Sequence, residues 1–182
     1  AAALDGVTFE FPLTVDEAEP MAFYASGGTI AMSAASLLFL DDLATAAAWL
    51  NENGYSQASL TDYASMLKYG RFGDTPPKPL DALCIPATAL YDPRVDETAT
   101  IAFNVVAVFI LLHELGHVLY QHPGYRGIDP DVARANEAQA DRFALDGLAR
   151  LDASPLPMVP YFTVWAHMAQ NAGDFASPAE LD

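Results

Sequence analysis

The chain has 182 residues, of which 52% are hydrophobic and 18% charged, a composition typical of a folded protein rather than a disordered one. Eight Lys and Arg stand against 24 Asp and Glu, which gives a formal net charge of −16. This charge repels phosphate backbones, so nucleic acid is excluded as an expected partner. The length predicts one domain, 1–182, with a mixed α/β part over 1–95 and a helical part over 96–182.

Short β-rich segments occur in the first half of the chain. The candidate strands are Val7–Leu13, Thr29–Ala34 and Asp81–Ile85. The Gly- and Pro-rich stretch 70–79 predicts a loop. Cys84 is the only cysteine, which excludes an intramolecular disulfide, and its apolar neighbours predict a place in the core.

Apolar residues at helical spacing dominate the rest of the chain. The predicted helices are Ser36–Asn53, Ser59–Tyr69, Asp96–Gln121, Asp131–Leu151 and Met158–Asn171. The predicted class is therefore α+β and mostly helical. The most apolar stretch, Val105–Leu112, is far shorter than the roughly 20 residues that span a bilayer, so no integral membrane segment is predicted.

A metal-binding pattern lies inside the predicted helix Asp96–Gln121. His113 and His117 are four residues apart and therefore share one helical face, a spacing suited to holding one Zn²⁺. Glu114 lies about 100° further round the helix, where a general base can reach a water on the metal without binding the ion. A chance HExxH in this composition has an expectation of only about 0.004.

The next predicted helix offers a third ligand. Glu137 and Asp141 are four residues apart, and 19 residues separate Glu137 from His117. Glu137 would complete a set of two histidines and one glutamate, and a catalytic zinc keeps its fourth position for water. Asp141 would accept the free imidazole N–H of a ligand histidine and so fix its tautomer.

The combination of HELGH and NEAQAD resembles the gluzincin metallopeptidases, whose pattern is HExxH followed by ExxxD. The NExxxD form after a 19-residue gap is similar to the thermolysin family. The wider stretch is also similar to membrane-associated heat-shock and prenyl-protein peptidases and to small bacterial HELGH proteins. The resemblance covers Ala102–Leu151 and identifies no subfamily.

This resemblance implies a zincin-like core with a small sheet or edge strand beside the HExxH helix. It implies Zn²⁺ on His113, His117 and Glu137, with Glu114 as general base and proton shuttle and Asp141 as orienting residue. The implied activity is hydrolysis of peptide bonds by a zinc-activated water, with a peptide or protein as substrate and endopeptidase action favoured. Gluzincins bind peptide along an edge strand, for which the candidates are Thr29–Ala34 and Asp81–Ile85.

Gluzincins also use a Tyr or His to stabilise the oxyanion. The candidates in this chain are His122, Tyr125, Tyr161 and His167, and none lies at a matching offset. We prefer His167, because its helix can fold back over the zinc, although packing within a helix is the other interpretation. His122 is alternatively a helix-capping residue. Gly116 destabilises a helix by up to about 1 kcal/mol relative to Ala, so a compensating close contact is expected at this position. Its partner is either a strand or substrate, or a neighbouring helix.

Two other functions are compatible with the pattern. One is a zinc-binding regulatory or interaction protein on a peptidase fold, against which the retained Glu114 argues. The other is a specialised aminopeptidase or cell-wall peptide hydrolase. The start Ala1-Ala2-Ala3 without Met is compatible with an exported, periplasmic or secreted bacterial chain, and the compartment and oligomeric state stay open.

Overall fold

The computed structural model describes residues 5–13, 21, 23–70, 72, 76–124 and 127–168, which are α+β and mostly helical. The strands are β1 (Thr8–Glu10), β2 (Phe23–Ser26) and β3 (Thr29–Met32). The helices are α1 (Ala34–Glu52), α2 (Ala58–Tyr69), α3 (Pro79–Ala82), α4 (Pro93–Tyr120), α5 (Pro130–Arg150) and α6 (Val159–Met168), with 3₁₀ turns at Ala87–Tyr91 and Leu156–Met158. The five long predicted helices are confirmed to within about three residues over this part of the chain; the predicted end of the last one lies outside the described residues.

The three strands form one sheet in the order β1-β3-β2, with β1 parallel and β2 antiparallel to β3. Gly27 and Gly28 have φ of 58° and 87°, which is the left-handed backbone that a two-residue hairpin turn between β2 and β3 requires. Strand β2 is not among the predicted strands, although Gly-Gly between two short β-rich segments is a hairpin signal. Because β3 is the central strand, the expectation that Thr29–Ala34 forms a free edge strand is wrong.

The predicted strand Asp81–Ile85 is also wrong. Pro79 begins the short helix α3 there, since its missing N–H and fixed φ suit the first helical position. The amide of Ile85 then donates to the carbonyl of Leu80 at 2.9 Å, a local bond that a strand would direct to a neighbour. Cys84 has a left-handed φ of 53° in this turn and is exposed rather than in the core.

Helix α4 lies at the centre of the fold and packs against α1, α5, β2 and β3. Its N-terminus is capped by Asp92, whose carboxylate accepts from the Arg94 amide at 2.9 Å, and it ends at Gln121, which has a left-handed φ of 57°. Its inner face joins the main apolar core through Val106, Phe109 and Ile110. The apolar residues before the HExxH motif therefore anchor this helix.

By length and composition alone α4 could also cross a membrane, with 33% of its most apolar 18 residues buried. A core helix of a globular protein passes the same test, so this is weak support for a membrane location. The expectation of no integral membrane segment is not contradicted and stays a prediction.

Helices α4 and α5 pack closely through two glycines. A Cβ on Gly116 would lie 3.2 Å from the Cα of Ala140, and one on Gly147 would lie 2.6 Å from Cδ1 of Leu112. These pairings run in opposite directions along the two helices, so the helices are antiparallel. The close neighbour of Gly116 is thus a helix, as the packing interpretation predicted.

Candidate metal centre

The two histidines of the HExxH motif point at the same place. His113 and His117 lie one turn apart on α4, and their Nε2 atoms are 3.0 Å apart. Both side chains are largely shielded from solvent, with 17% and 12% of their surface exposed. Two imidazole nitrogens at this distance require a proton or a cation between them, because two lone pairs would repel.

Glu137 comes to the same place from α5. Its Oε2 lies 3.2 Å from Nε2 of His113, and its Oε1 lies 3.5 Å from Nε2 of His117. A tetrahedral zinc with bonds of about 2.0–2.1 Å separates its ligand atoms by about 3.3 Å. The three observed separations of 3.0, 3.2 and 3.5 Å bracket this value, so the residues fit a zinc ion.

The group is open on the side of Glu137, whose side chain is 42% exposed. The residues that meet here as possible ligands are His113, His117 and Glu137, within the part of the chain that the structure describes. Three protein ligands with solvent access are typical of catalytic zinc sites, whereas structural sites are closed by a fourth protein ligand.

Asp141 lies one turn after Glu137 and contacts the other ring nitrogen of His113. Nδ1 of His113 donates to Oδ1 of Asp141 at 2.9 Å, which leaves Nε2 facing Glu137. Burial lowers the pKa of His113, but the hydrogen bonds to Asp141 and Glu137 outweigh burial and raise that pKa to about 10. The contact is the one that the ExxxD spacing predicted for Asp141.

The second histidine has a different supporting contact. Nδ1 of His117 lies 2.9 Å from Nδ1 of His122, and Nε2 of His122 lies 3.2 Å from Oε1 of Gln139 on α5. Burial is the main reason that the pKa of His117 falls to about 4. At neutral pH the histidine pair therefore has one positive charge, on His113, while His117 is neutral.

The contact between His122 and Gln139 was not predicted; the predicted roles of His122 are helix capping and oxyanion stabilisation. Both ring nitrogens of His122 are engaged by His117 and Gln139 instead. The only sequence signal for this contact is a third histidine just past the end of the motif helix. The position alone does not predict that His122 reaches His117, because the return of the chain to α4 depends on the left-handed backbone of Gln121.

Glu114 is buried, with only 8% of its surface exposed. Burial raises its pKa to about 7, and the charge of Glu137 adds to this rise while that of His113 opposes it. The side chain can therefore hold or release a proton near neutral pH. That is the property required of a general base and proton shuttle.

The oxyanion candidates have different surroundings. Tyr161 on α6 is buried, and burial together with the nearby charge of Glu114 raises its pKa. His167 lies 2.7 Å from Oγ of Ser65 on α2, whose hydroxyl donates to the carbonyl of Thr61. His167 thus donates to Ser65, an arrangement that joins α6 to α2; its catalytic role stays a prediction. Tyr125 lies outside the described residues.

Comparison of the chain with protein-family models, curated proteins and solved structures found no match in any of the three. The functional interpretation therefore depends on the geometry of the site and on the spacing of its residues.

Proposed function

We propose that this chain is a zinc-dependent metallopeptidase of the gluzincin type with a zincin-like core. The observation that carries the proposal is the convergence of two imidazole nitrogens and one carboxylate at 3.0–3.5 Å beside a buried carboxyl group. His113, His117 and Glu137 would hold the metal, and Glu114 would serve the reaction without binding it. The substrate would be a peptide or protein, and internal cleavage is favoured over removal of terminal residues.

Zinc, when bound at this group, supplies a Lewis acid that polarises a carbonyl and lowers the pKa of a water. Glu114 would accept a proton from the attacking water and return it to the leaving amine. Its pKa of about 7 supports both steps, since neither protonation state is strongly disfavoured near neutral pH. Asp141 would keep the His113 ring oriented through its hydrogen bond to Nδ1.

The described sheet offers a place for an extended substrate. Strand β2 packs against α4 and pairs with β3 along one edge, so its other edge is the one to which a peptide strand could add. This strand replaces Thr29–Ala34 and Asp81–Ile85 as the candidate for substrate binding, because the first is central in the sheet and the second is helical.

A peptide-cleavage assay with matched variants tests the proposal. Zinc-loaded wild type, Glu114→Gln and Glu97→Gln are incubated with a library of N-terminally acetylated peptides; Glu97 is the control because it is an exposed glutamate on the same helix. Wild type and Glu97→Gln should cleave internal bonds, and a chelator should stop cleavage until zinc is restored. Glu114→Gln should retain zinc but lose about 10²–10⁴-fold in rate.

Three outcomes count against the proposal. Equal cleavage by Glu114→Gln would mean that Glu114 is not the base. Cleavage only of peptides with a free amine would favour the aminopeptidase alternative. Zinc binding at one ion per chain without cleavage of any peptide would favour the regulatory alternative.

A further inference from the structure

A chain of hydrogen bonds runs from the second candidate metal ligand away from the metal position. It joins Nδ1 of His117 to Nδ1 of His122 at 2.9 Å, and Nε2 of His122 to Oε1 of Gln139 at 3.2 Å. Gln139 lies on α5, two residues after Glu137. Helix α5 therefore supplies both Glu137, which faces Nε2 of His117, and Gln139, which ends the series of hydrogen bonds on the Nδ1 side.

The positions of the hydrogens follow from the acceptor at the end of the chain. An amide oxygen only accepts, so Nε2 of His122 must donate to Gln139. A neutral imidazole has one N–H, so Nδ1 of His122 accepts from Nδ1 of His117. His117 then has no hydrogen on Nε2, and the lone pair of that atom faces Glu137 and His113.

We infer that His122 and Gln139 are positioning residues, which hold His117 in the tautomer and ring orientation that bind a metal ion. This inference rests on the proposed metal site. If the donors and acceptors of these hydrogen bonds were reversed, Nε2 of His117 would have the hydrogen and no lone pair to bind a metal ion. His113 is held differently, by the carboxylate of Asp141, so each candidate histidine ligand has its own supporting residue.

The surroundings of His122 keep it in place. Gln121 has a left-handed φ of 57° and turns the chain back at the end of α4. The ring of Tyr120 stacks on His122 with a centroid separation of 5.7 Å and an interplanar angle of 27°. Tyr120 in turn packs edge-on against Phe143 of α5 at 6.0 Å. The half-buried imidazole therefore contacts both α4 and α5.

Side-chain ¹⁵N NMR of the metal-free protein tests the tautomers directly, and zinc titration tests their consequence. We expect His117 to carry its hydrogen on Nδ1 and His122 to carry its hydrogen on Nε2. His122→Phe keeps the stacked ring but removes both nitrogens, and it should raise the zinc Kd by about 10–100-fold. His122→Asn keeps an acceptor near the position of Nδ1 and should restore most of the affinity.

The controls are Gln57→Leu and Gln57→Glu, at a glutamine outside the site whose side-chain amide donates to the carbonyl of Ala47. Both should leave the zinc Kd unchanged. If His122→Phe fails to fold by circular dichroism, Gln139→Leu and Gln139→Glu form a second pair. Gln139→Leu removes the acceptor and should weaken zinc binding. Gln139→Glu keeps an acceptor and should leave the zinc Kd unchanged.

An Nε2–H tautomer of His117 in the metal-free wild type would overturn the inference. So would wild-type zinc affinity in a folded His122→Phe or Gln139→Leu protein. Failure of the proposed function has a different signature: a protein that binds zinc, shows the expected tautomers and cleaves no peptide refutes the peptidase and leaves the role of His122 intact.

Discussion

Substitution of Gly116 by alanine is expected to weaken metal binding more than it weakens the fold. The new methyl group would lie 3.2 Å from Cα of Ala140, which is backbone and cannot rotate away, so α5 must shift by a few tenths of an ångström. Glu137 and Asp141 flank Ala140 on α5 and would move with it. Since both contact the histidines at 2.9–3.5 Å, we expect the zinc Kd to rise about tenfold, or about 1.4 kcal/mol.

The effect on folding should be small because two contributions oppose each other. Overpacking costs about 1–3 kcal/mol, and alanine in a helix returns up to about 1 kcal/mol relative to glycine. A net loss of about 1 kcal/mol lowers the Tm of a chain of this length by about 2–4 °C. Circular dichroism in chelator measures this change, and competition with a chromophoric chelator measures the zinc Kd.

Gly147→Ala is the matched control at the same helix interface. Its methyl group would meet Cδ1 of Leu112 at 2.6 Å, the end of a flexible side chain that can rotate. We expect the free energy of unfolding to rise by up to about 1 kcal/mol, because alanine is the better helix former, and the zinc affinity to stay unchanged. Zinc affinity that is unchanged in Gly116→Ala, or lost equally in Gly147→Ala, would refute the role of Gly116 in positioning α5.

Three further predictions concern single side chains. Asp141→Ala should weaken zinc binding by about 10–100-fold and lower the pKa of His113 in an NMR titration of metal-free protein; an unchanged pKa would contradict the hydrogen bond to Asp141. Burial raises the pKa of Glu114 from 4.5 to about 7, so its ionisation destabilises the fold increasingly as the pH rises through this range. Glu114→Gln should therefore raise the free energy of unfolding in urea, with chelator present, by up to about 3 kcal/mol at pH 8 and by less than about 1 kcal/mol at pH 5; equal effects at both pH values would contradict its buried ionisation. Tyr63→Phe removes the hydroxyl that donates to the carbonyl of Pro77 at 2.9 Å and should cost about 1 kcal/mol in the same urea assay, whereas no loss would show that this bond does not stabilise the fold.

Much of the helical fold could be predicted from sequence because its signals are local. The four-residue spacing of His113 and His117 determines that they share a face wherever the helix lies. The same holds for Glu137 and Asp141 on the next helix. Their convergence depends on the packing of α4 against α5, to which Gly116 was a visible but ambiguous pointer.

The errors occurred where the outcome depends on distant partners or on single backbone angles. Asp81–Ile85 has apolar residues suited to a strand, but Pro79 begins a helix there and the amide of Ile85 finds a local acceptor. Strand β2 has only four residues and is held by its pairing with β3, so Gly27-Gly28 was the local signal for it and was not interpreted as a hairpin turn. The contact of His122 with His117 likewise depends on the left-handed backbone of Gln121.

Zinc binding by wild type and Glu137→Ala tests the central claim most directly. The geometry predicts one zinc ion per chain in the wild type, because three ligand atoms converge at 3.0–3.5 Å. It also predicts that Glu137→Ala weakens binding, since one of the three ligands is lost while His113 and His117 stay in place. The claim would be contradicted if the wild type bound no zinc, or if Glu137→Ala bound it as tightly as the wild type.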